Sequence, residues 1–416
     1  MSHGFSRRQI LTAGLGAAGW LVTAGLGKGR AGEPSASRPQ FPDRSGQSPC
    51  TPVAIQQAAS YEPQLLRQRL DRALELIGGI KELVGGKTVT MKMNVTGGPG
   101  TLRGLPGSRT YQVHPNLVAA LCAAFYDAGA RRIVLVESQY SPKSPEEILQ
   151  EGGWDIRAIQ SAGGQKVSFE DTRNRGRWPD YSKLTVPWGG FIFSSFLLNA
   201  SYAKTDVFVS LAKLKDHGSA GVTLAVKNLF GIAPTSLYGN DAPNEKTLSN
   251  RGDILHNGKR TVPAGVPPEN DHRLPADWRC RVPRVTADLL GARPVDLAII
   301  DGIECNRGGE GPWVSTAEPI KPGLLFAGRN AVTTDAVAMA AMGYNPQAAH
   351  REFPFPGDNH LLLLSQAGVG AIDPKRIDVR GVPLAQALCP FNPKRIPLDP
   401  PTTWYNQRPH LNMEIG

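Results

Sequence analysis

The sequence predicts an α/β fold with a mostly parallel sheet, divided into two lobes. Residues 87–95 have the pattern of a strand, residues 114–128 that of a helix, and residues 132–137 that of a second strand. Strand, helix and strand in this order form the unit from which parallel sheets are built. The chain has 416 residues. A single core rarely grows past roughly 250–300 residues, which favours two lobes.

An export signal is predicted over residues 1–31. Arg7 and Arg8 precede an uncharged run, residues 10–27, that consists mostly of Ala, Gly and Leu, a pattern typical of a twin-arginine signal peptide. We expect cleavage after Ala31, delivery by the twin-arginine export machinery, and a periplasmic or extracellular protein. The alternatives are an ordinary basic signal and an uncleaved membrane anchor. Because the run is glycine-rich and short, we expect no stable membrane span.

Charge and cysteine content limit the classes of partner and cofactor that the sequence predicts. The chain has 46 basic and 36 acidic residues, a net charge of +10, which falls to +6 once the signal is removed. It has no lysine-rich run, so we expect no nucleic-acid partner. The five cysteines include no CxxC pair, so we expect neither a cysteine-ligated iron–sulfur cluster nor a structural zinc site. One or two disulfides stay open in an oxidising compartment, with a pairing that the sequence does not give.

The other elements follow from periodicity and from Gly and Pro. Residues 32–58 predict a disordered linker, and residues 62–84 an amphipathic helix. Further strands are predicted at residues 166–169, 189–193, 206–211, 295–301 and 324–327, and helices at residues 330–342 and 359–367. The predicted domains are a first lobe (59–237), an irregular insertion or lid (238–282), a second lobe (283–388) and an extended tail (389–416).

Residues 213–234, KLKDHGSAGVTLAVKNLFGIAP, hold the densest set of functional side chains. This set comprises Lys213, Lys215, Asp216, His217, Lys227 and Asn228. Lys227 interrupts an apolar helix face, where a lysine must find a partner or shift its pKa. Gly221 lets the backbone approach a ligand closely. The alternative is a solvated loop between a strand and a helix.

Two Gly-rich segments follow predicted strands. Residues 96–109, with Arg103 and Arg109, suit an anion, although a plain mobile loop fits them equally well. Lys92 and Asn94 share one face of the preceding strand, and Asn94 lies nearer the loop.

The second Gly-rich segment, residues 302–313, follows the strand that ends at Asp301. Asp301, Glu304 and Glu310 could bind a hard metal ion or act as acid and base. The alternative is a turn whose carboxylates only accept backbone hydrogen bonds.

These polar groups share a position in the predicted fold. Asn94, Glu137, residues 213–217 and residues 301–310 each lie at or just after the end of a predicted strand. In an open, Rossmann-like parallel sheet, ligands bind outside the carboxyl ends of the strands. If the strands are parallel, these groups lie along one edge, and that edge is the predicted site.

The motifs also carry a family resemblance. They are KLK, His217 and GVTLAVKNLFG, together with Lys92 and Asn94 in MKMNV and His114 before Pro115. In this order they resemble the bacterial and archaeal family called domain of unknown function 362, over about residues 87–342. The resemblance implies a shared fold, no settled activity, and a place for Asp335 at the edge of the site. Relatives with a ferredoxin-like segment imply a redox partner, although this chain lacks that segment.

The spacing of His217 and Lys227 is similar to that in the nickel-pincer lactate racemase family. In that family a histidine stands ten residues before the lysine that carries the cofactor, which implies a cofactor linked to Lys227. Ten residues of helix span about 15 Å, so His217 must precede the helix if the two side chains are to meet. The Pro-Gly of the racemases is absent, because Gly231 and Pro234 stand in the other order.

The sequence therefore predicts a metal- or cofactor-dependent enzyme, racemase-like or oxidoreductase-like, that acts on a small anionic substrate. The predicted catalytic residues are His217, Lys227 and Lys213. The predicted cofactor-binding residues are Asn94, Lys227, Asn228 and Gly221. The predicted metal ligands are His217, Asp301, Glu304 and Glu310. The alternative is a non-catalytic periplasmic protein that binds a small ligand or a metal ion with the same loops.

Overall fold

The computed structural model describes residues 42–138, 141–173, 180–270 and 278–392. The predicted signal, residues 1–31, and the predicted tail from residue 393 onwards lie outside these ranges. Within them, no helix is both long enough and apolar enough to cross a lipid bilayer. The export signal and its cleavage site stay predictions.

The described residues form fourteen strands. They are β1 (Val53–Gln57), β2 (Thr88–Met93), β3 (Thr101–Leu102), β4 (Leu105–Pro106), β5 (Arg132–Glu137), β6 (Val167–Asp171), β7 (Tyr181–Thr185), β8 (Ser195–Asn199), β9 (Val207–His217), β10 (Gly221–Val222), β11 (Leu297–Arg307), β12 (Glu318–Ile320), β13 (Leu324–Gly328) and β14 (Val379–Gly381).

A ten-stranded, mostly parallel sheet forms the centre of the fold. Eight strands lie side by side in the order β14-β1-β13-β11-β9-β2-β5-β6, while β10 pairs with β9 and β12 with β11. Strands β6, β5, β2, β9 and β11 are parallel to one another. Strand β13 is antiparallel to both of its neighbours. The prediction of an α/β fold with a mostly parallel sheet is confirmed.

Helices cover both faces of the sheet. They are α1 (Pro63–Leu76), α2 (Lys81–Val84), α3 (Pro115–Asp127), α4 (Pro145–Glu151), α5 (Ile156–Ala162), α6 (Ala200–Lys204), α7 (Leu224–Asn228), α8 (Thr235–Tyr238), α9 (Trp278–Ala292), α10 (Ala331–Ala341) and α11 (His360–Gln366). Alternate residues of β9 belong to different cores, because side chains of a strand alternate between faces. Val209 packs with α1 and α3, and Phe208 packs with α7, α9, α10 and α11.

The two longest strands extend past their predicted ends. Strand β9 continues to His217 and β11 to Arg307, so residues 213–217 and 302–307 are strand rather than loop. The extension is held by pairing, since Lys215 pairs with Asn306 and His217 pairs with Gly221. The sequence of these extensions, rich in charged residues and Gly, does not predict a strand. Their backbone hydrogen bonds come from neighbouring strands, which the local sequence does not reveal.

Three local predictions are corrected. The helix predicted over residues 62–84 is two helices, separated at Gly78 and Gly79, whose φ angles are 95° and 74°. The predicted linker includes β1, which is buried in the sheet between β13 and β14. The strand predicted at residues 189–193 is absent because three successive backbone N–H groups, those of residues 191–193, donate to the carboxylate of Asp288.

Strands from both predicted lobes lie in the one sheet. Residues 59–237 contribute β2, β5, β6, β9 and β10, and residues 283–388 contribute β11 to β14. The sheet therefore gives no support to separate lobes. The insertion predicted over residues 238–282 has a buried part, which includes Ile254 and Leu255, and its last residues are the start of α9.

Helix α7 is short, and a residue distant in sequence accepts hydrogen bonds from its first turn. Leu224, its first residue, has a φ of 42°, in the left-handed region. The backbone N–H groups of Ala225 and Val226 donate to the two carboxylate oxygens of Asp335, each at 2.8 Å. Asp335 lies inside α10 and is fully buried. It therefore positions the helix that carries Lys227, as an N-cap would, from another part of the chain.

We expect Asp335→Ala to lower the free energy of unfolding by about 1–3 kcal/mol, because two buried N–H groups lose their acceptor. Urea denaturation measures this loss. The matched control is Thr333→Val in the same helix, since the buried Thr333 hydroxyl has no hydrogen-bond partner in the described part of the chain. Equal midpoints for the two variants would contradict the role given to Asp335.

Candidate functional site

Lys227 is a buried lysine at the carboxyl edge of the sheet. Its side chain is 7 % exposed, and its Nζ atom lies 4.2 Å from the centre of the Phe230 ring. It makes no hydrogen bond or ion pair with any described residue. Burial lowers the pKa of Lys227 to about 7, while the negative charge of Glu310 acts in the opposite direction. About half of the Lys227 side chains are therefore neutral amines near pH 7.

The charge of this amine lowers the pKa of three histidines. The pKa of His217 lies well below its usual value, that of His256 at about 4 and that of His360 at about 3. In each case burial is the main cause and the charge of Lys227 adds to it. All three imidazoles are therefore neutral at pH 7. We refer to Lys227, His217, His256, His360 and Glu310 as the Lys227 cluster.

Hydrogen bonds set different tautomers in two of these histidines. His217 Nδ1 accepts from the backbone N–H of Ser219 at 3.2 Å, so the proton of the neutral ring is on Nε2. His256 Nδ1 lies 3.1 Å from the carbonyl oxygen of Arg251, to which it donates, so Nε2 keeps its lone pair. His217 can thus donate a hydrogen bond to a ligand, and His256 can accept a proton. This tautomer does not favour His217 Nε2 as a metal ligand.

His360 is the histidine of this cluster whose ring makes no hydrogen bond within the described ranges. It is fully buried at the first residue of α11. Neither ring nitrogen has a hydrogen-bond partner in the described ranges, and the ring contacts Phe355 edge to face at 5.9 Å between centroids. Buried polar groups are nearly always hydrogen-bonded. A buried imidazole and a buried amine that both lack a hydrogen-bond partner among the described residues are groups that a ligand could satisfy.

Glu310 lies at the rim of the cluster. Its carboxylate accepts from the backbone N–H of Gly218 at 3.0 Å and from the indole of Trp313 at 3.2 Å. The buried Lys215 donates to two backbone carbonyls, those of Tyr111 at 2.7 Å and Glu310 at 3.1 Å. Burial lowers the pKa of Lys215 to about 7.

Asn94 and Asn228 belong to a network beneath the cluster. The Nζ atom of Lys92 lies 2.9 Å from the carboxylate of Glu137, and Asn228 joins Lys92 to Asn94 through its side-chain oxygen. Asn228 also donates to Ser210 on β9 at 3.1 Å. The network holds α7 against the sheet. Asn94 Oδ1 is buried without a hydrogen-bond partner in the described chain, so Asn94 keeps one acceptor for a ligand.

Lys213 has a structural environment rather than a catalytic one. It is fully buried, and its Nζ atom contacts Asp301 at 2.9 Å and the Tyr61 hydroxyl at 3.1 Å. Asp301 accepts in addition from the Tyr61 hydroxyl at 2.6 Å and from the backbone N–H of His114 at 3.0 Å. The ring of Tyr61 stacks on that of His114 at 3.7 Å. This closed network ties β9, β11 and the start of α3 together.

The structure does not bring the predicted metal ligands His217, Asp301, Glu304 and Glu310 together as a group. Asp301 is used by Lys213, and Glu304 pairs with Arg109 and Lys321. The hydrogen bond from Arg109 is the main reason why the pKa of Glu304 lies at about 2. Across the described ranges, the one group of three or more His, Cys, Asp or Glu side chains with clustered ligand atoms is Cys280, His350 and Asp358.

Two other predictions concern Gly221 and the loop 96–109. A Cβ at Gly221 would lie 2.8 Å from Phe355, so the close approach seen at this glycine is to that ring, and its contact with a cofactor stays a prediction. Arg103 donates to backbone carbonyls of residues 315 and 317, and Arg109 is bound to Glu304. Both arginines of the loop 96–109 are therefore used by the protein, and an anion site there has no support.

Sequence reasoning missed His256 and His360. Both lie outside the dense segment 213–234, and residues 238–282 give no periodicity that would place His256. A buried lysine without an acidic partner needs neutral polar neighbours, and this requirement is the signal that could have pointed to the two histidines. The position of His217 before the helix, required for it to meet Lys227, is confirmed.

The family described as Domain of unknown function (DUF362) matches residues 89–340. This chain belongs to the DUF362 family. The matched range contains His217, Lys227, His256 and Glu310, whereas His360 follows it. The family resemblance inferred from the motifs is confirmed.

Similar proteins have also been found. The "Thylakoid-associated protein sll1697" of Synechocystis sp. is 25 % identical over 336 residues, which are 75 % of this chain and 85 % of that protein. The lactate racemase apoprotein from Thermoanaerobacterium thermosaccharolyticum matches at 12 % identity and a TM-score of 0.34, over 73 % of this chain and 59 % of the racemase. A protein from Thermotoga maritima matches at 11 % identity and a TM-score of 0.32, over 64 % of this chain and 55 % of that protein.

We expect Lys213→Met to lower the free energy of unfolding of this DUF362 protein by about 3–5 kcal/mol, because it leaves the buried Asp301 carboxylate without its cation. Lys204→Met is the control, since Lys204 pairs with Asp180 at the surface, where both side chains are about half exposed. The control should not move the urea midpoint. A stable Lys213→Met protein would contradict the structural role.

Proposed function

We propose that this protein is an enzyme acting on a small anionic carbonyl compound, in which Lys227 is the nucleophile that bonds covalently to the substrate or to a cofactor. The observation that carries the proposal is the Lys227 amine itself, buried, with a pKa of about 7 and no hydrogen-bond partner among the described residues. Desolvated lysines of this kind are the amines that form Schiff bases.

The neighbours of Lys227 supply what this step needs. The amine nitrogen would form a bond to the carbonyl carbon as the C=O π bond breaks, and the oxygen would leave as water with both amine protons. His256, with its Nε2 lone pair, is suited to accept a proton, and His217, with its Nε2–H, is suited to donate to the carbonyl oxygen. The proposal thus assigns a role to both tautomers.

The buried cation nearest to an anionic role is Arg251. After burial, the charge of Glu310 acts most on the pKa of Lys227 and raises it, while the charges of Arg251 and Lys92 lower it. Arg251 is positioned by the carbonyls of Gly231 and Ala233 in the segment after α7. A carboxylate next to the reacting carbonyl would be attracted to the guanidinium of Arg251, so we favour 2-oxo acids as the substrate class.

We also propose that the protein acts after export. The support is the pair Arg7 and Arg8 before an uncharged run. Export by the twin-arginine route would deliver a folded chain to the periplasm or the outside of the cell, with a cofactor already in place if Lys227 carries one. Fractionation of cells that express the full chain, compared with an Arg7→Lys, Arg8→Lys variant, measures the location.

The covalent role is tested by trapping. The purified full chain is incubated with glyoxylate and cyanoborohydride at pH 7, and intact and peptide masses are recorded. We expect one carboxymethyl group on Lys227, because its amine is about half deprotonated, whereas an ordinary lysine is deprotonated in only about one molecule in 3,000. An extra mass already present on Lys227 would support the cofactor form of the proposal.

The control variants separate catalysis from binding. Lys227→Arg should abolish the adduct, and Lys204→Arg should leave it unchanged, because Lys204 lies at the surface. A protein that only binds anions needs only the charge at position 227, which Lys227→Arg keeps. The proposal would be overturned if the carboxymethyl label is spread over surface lysines and Lys227 is labelled no faster than they are.

A further inference from the structure

A second group of ligating side chains shares no residue with the Lys227 cluster. The Sγ atom of Cys280, a ring nitrogen of His350 and a carboxylate oxygen of Asp358 lie within 4.8 Å of one another. Cys280 and Asp358 are buried, and His350 is exposed. We propose that these three side chains bind a zinc ion or a similar transition-metal ion.

The backbone already brings the three residues together. Cys280 lies in the first turn of α9, and the backbone N–H of Asp358 donates to the carbonyl of Arg279 at 3.0 Å. A Cβ at Gly357 would lie 2.2 Å from that same carbonyl, so only glycine permits this approach. The N–H of Arg351 donates to the carbonyl of Gly357 at 2.8 Å, which places His350 opposite Asp358. The binding site is thus assembled by main-chain contacts.

The carboxylate of Asp358 is oriented as a ligand. One oxygen accepts from Nε of Arg284 at 2.7 Å, and the other lies 2.8 Å from Nδ1 of His350. Arg284 therefore fixes the carboxylate from behind, as the partners of metal-binding carboxylates do. A metal ion would replace the contact between His350 and Asp358 and would leave the Arg284 contact in place.

The donor set selects the class of metal. A thiolate, an imidazole and a carboxylate suit Zn²⁺ and Co²⁺, whereas Mg²⁺ and Ca²⁺ prefer oxygen ligands alone. Tetrahedral zinc places its ligand atoms about 3.3–3.6 Å apart. The three atoms lie within 4.8 Å of one another, so the widest pair closes by at most about 1 Å, while His350 and Asp358, now 2.8 Å apart, open by about 0.5 Å. With three ligands from the described residues, tetrahedral coordination has a fourth position, and the side chain of His350, 42 % exposed, lies on the solvent side of the group.

The test is a Co²⁺ titration of the full chain without an affinity tag, followed by competition with Zn²⁺. We expect one cobalt ion per chain, with a thiolate-to-cobalt charge-transfer band that Zn²⁺ removes. Cys280→Ser should abolish the band, and His350→Ala should weaken cobalt binding at least tenfold. Cys389→Ser is the matched control and should keep the band, since Cys389 lies outside the cluster.

Folding of each variant is checked by circular dichroism. If Cys280→Ser does not fold, His350→Gln decides the outcome, because that side chain is largely at the surface. A band that is equally strong in the parent chain and in His350→Gln, or no band in the parent chain, would overturn the proposal. The result is independent of the trapping of Lys227, since neither variant alters the Lys227 cluster.

Discussion

The burial of lysine ammonium groups at the carboxyl edge of the sheet is the constraint on which the rest of the site depends. Within the described ranges, four buried lysines lie there, Lys92, Lys213, Lys215 and Lys227. Two are paired with buried carboxylates and one donates to two backbone carbonyls. Lys227 has only an aromatic ring. The fall of its pKa from 10.5 to about 7 corresponds to about 5 kcal/mol of lost stabilisation of the charged form, so the neutral and the charged form are about equally populated near pH 7.

The fold supports this state because the lysines that form buried ion pairs are distinct from Lys227. The pair of Lys213 and Asp301 joins neighbouring parallel strands, and the pair of Lys92 and Glu137 joins β2 to β5. Both pairs are satisfied, so neither competes for a ligand. Lys227 is on a short helix whose start is fixed by Asp335 from α10. A rigid support of this kind keeps an unpaired amine from rotating towards solvent.

Much of the fold could be predicted from the sequence because the apolar runs of β2, β5 and β9 are local signals. The meeting of residues at the strand ends is expected from parallel topology. Lys213 contacts Asp301, and Lys92 and Asn228 link Glu137 to Asn94. The roles of Lys213 and Asp301 could not be predicted, because a lysine and an aspartate on separate strands look the same whether they bind each other or a ligand. Nor could the place of His360, which depends on the packing of α11 against α10.

The unpaired, buried state of Lys227 is tested most directly by titrating its Nζ amine with pH. NMR monitors the titration in protein labelled with ¹³Cε and ¹⁵Nζ lysine, and the Lys227 signal is assigned by its loss in Lys227→Arg. We expect a midpoint near pH 7, because burial without a partner disfavours the ammonium form. Glu310→Gln should move the midpoint lower, since the negative charge that favours the ammonium form is gone. A midpoint near 10, like that of a surface lysine, would show that Lys227 is not a reactive amine at neutral pH.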